Sequence, residues 1–233
     1  MHAVSSQRNH LLGSLSRDDL GLLQEHFEPV TLKLRLELEK PNRSIEDVYF
    51  PESGFASVVA VQADGAEAEV GLIGCEGMTG MAIVLGDHRT PHSTYVQVAG
   101  EGRRIKAADL RNAMEASKTL RDLFLKYVQT FHVQTAHTAI ASVRAKLDER
   151  LARWILMAHD RIRGNTLPLT HEFLSLMLGV RRAGVTEALQ ILRSEGLIKT
   201  GQGEIVVLNR KGIERKAGRS YGVPEAEFRR LIG

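Results

Sequence analysis

The stretch Leu169-Thr-His-Glu-Phe-Leu-Ser-Leu-Met-Leu-Gly-Val-Arg-Arg-Ala-Gly-Val-Thr-Glu-Ala-Leu-Gln-Ile-Leu-Arg-Ser-Glu-Gly-Leu-Ile198 decides how this chain is read. Thr170 stands where a hydroxyl caps a helix by accepting from an exposed backbone amide. Phe173, Leu174, Met177 and Leu178 then recur at helical spacing on the side to be buried. Gly179 supplies the positive φ that a tight turn needs, and Val180 packs into the corner. A second helix follows, with Val185, Ala188, Leu189 and Leu192 inward and Arg181, Arg182, Thr186, Glu187 and Gln190 outward. Two helices joined by a short glycine turn make a helix-turn-helix, whose second helix can enter the major groove of DNA by its N-terminal end.

An arginine at that position has a chemical use. Its guanidinium can bond both O6 and N7 of guanine, and its charge suits phosphate. Arg182 is the candidate base reader, with Arg181, Ala183, Thr186 and Glu187 beside it and Thr170 and His171 at the start of the preceding helix. The helix dipole disfavours cations at a helix start, so the Arg181-Arg182 pair calls for a compensating partner; a solvated pair is the plainer alternative. Further on, Gly196-Leu-Ile-Lys-Thr-Gly-Gln-Gly-Glu-Ile-Val-Val-Leu208 reads as strand, glycine turn, strand. As a wing it lets Lys199 and Gln202 touch phosphates, adding affinity without reading sequence. As an ordinary hairpin it merely closes the core.

Working outward, 233 residues at 43% hydrophobic and 25% charged suffice for one large domain or two ordinary ones. Charge is unevenly spread. Residues 1–144 carry 15 Lys+Arg against 18 Asp+Glu, whereas residues 145–233 carry 16 against 10, so the basic end suits a polyanion. Cys75 is the only cysteine, which excludes an internal disulfide and any iron-sulfur cluster held by one chain's thiolates. No apolar run approaches the roughly 18 residues of a membrane span, and Met1 to His10 lacks a secretory pattern, so a cytoplasmic protein without membrane contact is expected. No Ser/His/Asp set, paired carboxylates or metal spacing emerges, and the expectation is a non-enzyme.

Upstream, leucines from Leu11 to Leu23 and Phe27 recur at three- and four-residue steps around Ser16, a candidate helix cap. From Val30 the pattern alternates, with Leu32, Leu34, Leu36 and Leu38 on one face and Thr31, Lys33, Arg35, Glu37 and Glu39 on the other, which predicts one strand. Further β-rich pieces at residues 47–50, 54–62, 66–73 and 93–98 suggest a barrel or sandwich. The glycine-rich run from Gly71 to Met81 allows close backbone approach to a ligand, or simply turns corners. A short helix at residues 107–115 precedes a long one capped at Ser117. Leu120, Leu123, Phe124, Tyr127, Val128 and Phe131 stripe that helix, to be buried on their own domain or against the same helix of a second subunit. Another helix, Ala145 to Asp160, ends at Arg163-Gly-Asn-Thr-Leu-Pro.

A β-domain, a long connecting helix and a terminal winged helix-turn-helix in this order resemble the Crp/Fnr superfamily of bacterial transcription regulators. The resemblance covers nearly the whole chain and is strongest over Thr170 to Ile198. Aligned on Leu197-Ile198, it places Arg182 where the family commonly carries a base-reading arginine, while Ala183 and Glu187 depart from the family's usual residues. Glu187 can accept from a cytosine N4 instead. Val48-Tyr-Phe-Pro-Glu-Ser-Gly54 and Gly71 to Gly80 carry the resemblance in the first half. Cyclic-nucleotide binders of this family hold ribose with a glutamate after the cassette glycine and phosphate with an Arg-Ser or Arg-Thr pair. Here Gly80 is followed by Met81 and Ala82, and the later pair is His92-Ser93, or Arg89-Thr90 set about three residues too early. Cyclic AMP is therefore not expected. His88, His92, His132 and His137 leave haem open, although polar-face histidines are far commoner.

The resemblance implies an α+β chain of three parts: a cyclic-nucleotide-binding-like β-barrel or jelly-roll sensor domain at 1–116, a dimerisation helix at 117–142 and a winged helix-turn-helix at 143–233. It implies a homodimer on an inverted-repeat operator in double-stranded DNA and a contact with RNA polymerase, while the residues themselves lead to the expectation of no resident cofactor and an unknown effector. Gly80, Met81, Ala82, His92 and Ser93 are the effector-pocket candidates it marks. The competing expectation is a ligand-binding β-barrel protein whose basic C-terminal domain mediates assembly.

Overall fold

The computed structural model describes residues 8–233. They group into two units: the chain up to Val58 with Ile73–Thr130 and Phe228–Gly233, and Val59–Leu72 with Phe131–Glu227.

In chain order the elements up to the long helix are α1 His10–Gly13, α2 Arg17–Gln24, β1 Glu28–Leu32, β2 Glu37–Glu39, β3 Asp47–Pro51, β4 Phe55–Val61, β5 Glu67–Ile73, α3 Met81–Val84, β6 Ser93–Val98, β7 Gly100–Lys106, α4 Ala107–Ala116 and α5 Lys118–Arg144. Two open antiparallel sheets form, ordered β1-β7-β3 and β2-β6-β4-β5. Leu32 of β1 packs with Leu38, Ala56 and Val96 of the other sheet, so the arrangement is jelly-roll-like and not a closed barrel. A second cluster sets Phe50 and Ile105 against Leu110, Met114, Leu120, Phe124 and Tyr127 of α4 and α5. Phe50 and Phe124 rings lie 6.1 Å apart.

Two strand assignments differ from the sequence pattern. The alternating run from Val30 to Glu39 is not one strand. It breaks at a turn where Arg35 adopts φ 65° and donates its N–H to Val96 O, leaving Leu34 at 58% exposure. β2 then pairs with β6 through a register shift between Glu37 and Glu39, and both Leu38 and Glu39 are buried. A bulge adds one residue and so turns a neighbour that alternation would expose toward the interior. The other difference is β7, the central strand of its sheet, whose Gly-Glu-Gly-Arg-Arg-Ile-Lys sequence carries too few apolar residues to show a strand period. Its glycines are steric necessities. A Cβ at Gly100 would lie 2.0 Å from Ser53 O, and one at Gly102 would lie 2.7 Å from Phe50 O.

Helix starts follow the sequence closely. Ser16 caps α2 by accepting from Asp19 N, and the Ser117 hydroxyl accepts from Leu120 N in the first turn of α5.

In the second unit, the later half of α5 is followed by α6 Leu147–His159, β8 Thr166–Leu167, α7 His171–Leu178, α8 Arg182–Ser194, β9 Ile198–Gly201, β10 Glu204–Val207, α9 Arg210–Ala217, a 3-10 turn at Gly218–Ser220, and α10 Val223–Leu231, whose end returns to the first unit. Strands β8, β10 and β9 make a small antiparallel sheet with β10 in the centre. Trp154 of α6 meets Phe173 of α7 edge-on at 5.7 Å and donates its indole N–H to the buried Glu69 carboxylate at 2.6 Å. Arg153, only 5% exposed, is held by Ser220 O and Thr138 Oγ1, which satisfies part of a guanidinium that burial would otherwise penalise.

Candidate nucleic-acid interface

α7 and α8 form the helix-turn-helix. The Thr170 hydroxyl accepts from Phe173 N, and Leu174, Met177 and Leu178 are buried. Gly179 ends α7 at φ 61°, where its own N–H donates to Leu176 O and the Val180 N–H donates to Ser175 O. Arg150 adds its guanidinium to Leu178 O. α8 then buries Val185, Ala188, Leu189 and Leu192.

The opposite face of α8 carries the sequence-derived candidates. Arg181, Arg182, Ala183, Thr186, Glu187 and Gln190 are exposed there, and His171 Nδ1 lies 3.2 Å from Thr186 Oγ1. The structure thus brings Thr170, His171, Arg181, Arg182, Ala183, Thr186 and Glu187 onto adjoining turns of two helices. Neither Arg181 nor Arg182 forms an ion pair among the described residues. Two unpaired cations at the positive end of a helix repel the dipole and each other, and an external anion relieves both. Lys199 on β9 and Gln202 in the β9–β10 turn are also exposed, with Gly203 at φ 75° closing the turn.

Some other cations of this unit are paired. Lys216 bridges Asp148 and Glu195 at 2.9 and 2.7 Å, and Arg210 bonds Asp160, Glu214 and the Tyr221 hydroxyl. Burial and the Asp160 carboxylate push the Tyr221 phenol up, keeping it protonated as a donor.

The stripe on α5 is divided. Leu120, Phe124, Tyr127 and Phe131 are buried within the chain itself, and Leu123 and Val128 pack partly against the same core. Of the two ways to bury that stripe, these residues use their own chain. A different face, Leu125, Gln129, His132, Ala136, Ala139 and Val143, is exposed along the helix at steps of four and three residues.

In the first unit, Gly80 has φ 75° at the start of α3, and Met81 and Ala82 are half-buried in that turn. His92 precedes β6 and Ser93 begins it, both half-buried, while Arg89 and His88 are exposed. The sequence pattern overlooks a buried group beside Gly80 and His92. Glu39, 6% exposed, accepts from Gly80 N at 2.7 Å and from the Thr94 hydroxyl at 2.5 Å. Burial pushes its carboxyl up, against the pull of those two donors and the nearby His92. Its place in an apparent polar row hid it, since only the β2 bulge turns it inward. Among the described residues no cluster of three His, Cys, Asp or Glu can hold a metal ion, and no helix is long and apolar enough to cross a membrane.

Residues 149–216 match the family of Crp-like helix-turn-helix domains. Curated proteins give no match. Solved structures share the fold at low identity. A protein assigned to the Crp/Fnr family of transcriptional regulators from Eubacterium rectale is 19% identical at a TM-score of 0.69, over 89% of this chain and 97% of that one. FixK2 from Bradyrhizobium japonicum is 16% identical at 0.66, over 81% and 96%. A CRP-family transcriptional regulator from Thermus thermophilus is 18% identical at 0.66, over 82% and 96%. Residues 149–216 are therefore similar to Crp-like helix-turn-helix domains, and the chain shares its fold with solved structures assigned to the Crp/Fnr family.

Proposed function

We propose that this chain is a cytoplasmic, homodimeric, sequence-specific DNA-binding regulator of transcription, and not an enzyme, acting on an inverted-repeat operator without cyclic AMP. The observation that carries the reading is the unpaired Arg181-Arg182 couple on the first turn of an exposed α8 face. Arg182 reads a guanine, Glu187 and Thr186 extend the contact along the helix, and Lys199 and Gln202 hold phosphates. The exposed seam from Leu125 to Val143 supports dimerisation, because a row at steps of four and three residues suits a two-stranded coiled coil. Absence of cyclic AMP control is supported by Met81 where a ribose-binding carboxylate would stand and by His92 in place of an arginine. RNA polymerase is the second protein partner in this reading.

Selection of sites from a random duplex pool by the purified protein tests it. The expected product is an inverted repeat with half-sites about 34 Å apart, bound at least about 1,000-fold above random DNA. Salt-sensitive binding with no consensus would overturn the sequence-specific reading and favour a basic domain used for assembly.

A further inference from the structure

The first unit contains a buried carboxyl group that the DNA interface does not use. Among the described residues no arginine or lysine pairs with the buried Glu39 carboxyl; its hydrogen-bond partners are a backbone amide and a hydroxyl. Both donors are fixed in place. Gly80 sits in a left-handed conformation at the end of a loop pinned to β3, where Thr79 N donates to Tyr49 O and Thr79 Oγ1 accepts from Tyr49 N. A Cβ at Gly80 would lie 2.5 Å from a methyl carbon of Val48, so the loop backbone packs closely against a side chain of β3. Thr94 is fully buried and faces Glu39 across the β2–β6 ladder. His92 lies nearby, where a protonated imidazole would favour the carboxylate.

Two fixed donors and a neighbouring imidazole make a small anion-binding position, and the chain fills it with its own side chain. We propose that Glu39 is a built-in anion that closes this position, making it the residue by which the first unit refuses phosphate esters, cyclic nucleotides included. The inference rests on reading Gly80 to Ser93 as the effector pocket. A tethered carboxylate competes at an effective concentration that a free ligand does not reach, and its charge repels any second anion brought beside it. Absence of a ribose or phosphate partner would leave a site merely weak for such ligands; an occupying carboxylate makes it closed.

Glu39→Ala empties the position and Glu39→Gln keeps it filled without charge, since the amide oxygen can still accept from Gly80 N–H. Full-length wild type and both variants are melted at pH 7 in sodium formate and in sodium chloride of equal ionic strength, and the wild type is titrated with inorganic phosphate and cyclic AMP. The expected result is a formate-specific rise of roughly 3 °C or more in Glu39→Ala, a size set by about 1 kcal/mol in a chain of this length. Wild type and Glu39→Gln show no formate-specific rise, and the wild type shows no saturable phosphate or cyclic AMP binding. If Glu39→Ala does not fold in chloride, refolding in formate decides: recovery supports the proposal and its absence overturns it. Saturable binding of either phosphate compound by the wild type, or a formate response in Glu39→Ala no larger than in Glu39→Gln, also overturns it. Operator selection on the same wild-type sample separates the two readings, because failure there removes the regulator function and leaves the formate result standing.

Discussion

Gln134 stands in for the neighbour that an edge strand lacks. Its Oε1 accepts from Leu72 N at 2.7 Å and its Nε2 donates to Leu72 O at 3.2 Å, so one amide side chain from α5 completes a ladder rung on β5. β5 lies at the edge of its sheet, where unpaired backbone groups are costly when buried. Gly71 beside it has no room for a side chain, as a Cβ would come within 2.7 Å of the Phe131 ring.

Gln134→Leu is accordingly expected to destabilise the protein by about 2 kcal/mol, the cost of stranding a buried amide, with the carbonyl partly rescued by Arg161 at 3.4 Å. Hydrogen exchange checks the cause. The Leu72 amide should lose protection by more than the global loss of stability explains, and unchanged protection would show that Gln134 is replaceable.

Arg182→Ala and Lys199→Ala separate reading from holding. Arg182→Ala is expected to lose about 1–3 kcal/mol on the selected operator and to relax preference at one base pair per half-site. Lys199→Ala should weaken all sequences alike and lower the salt slope by about one per subunit. Binding isotherms across a salt series on operator and scrambled DNA distinguish these patterns, and equal effects of both substitutions would deny Arg182 its role.

Two glycines are predicted to resist substitution for different reasons. Gly179 has φ 61° and open space around it, so Gly179→Ala costs about 1 kcal/mol of backbone strain, and Gly179→Asn costs less. At Gly77 a Cβ would fall 2.2 Å from the Tyr127 hydroxyl, itself bonded to Met78 O, so Gly77→Ala forces a buried ring to move. A loss of about 3 kcal/mol is expected there. Denaturant melts of the three variants test the ordering.

Asp19 ties the start of α5 to α2. Hydrogen bonds from Ser117, then Thr119 and Ser16, outweigh its burial and hold its carboxyl below the ordinary aspartate range. A depressed folded-state value stabilises the protein above the unfolded-state value and is lost as pH falls through the folded one. Wild type should exceed Asp19→Asn by about 1 kcal/mol from roughly pH 5 to 7, with the gap closing toward about pH 2. A gap that widens on acidification would contradict the assignment.

The sequence by itself determined the parts whose signals are local. Thr170, Gly179 and the inward rows of α7 and α8 act within a few residues of one another, so spacing alone exposed the helix-turn-helix and the outward placement of Arg181 and Arg182. The caps at Ser16 and Ser117 were legible for the same reason. What depends on partners distant along the chain was not. β7 has no apolar period, because its glycines answer to Ser53 and Phe50. Leu120, Phe124, Tyr127 and Phe131 form a stripe whose burial partner periodicity does not name, and tertiary packing assigned it to the chain's own core. Glu39 sat among exposed charges until a bulge in β2 turned it toward Gly80 and Thr94, since a one-residue shift in a strand reverses which face a side chain occupies.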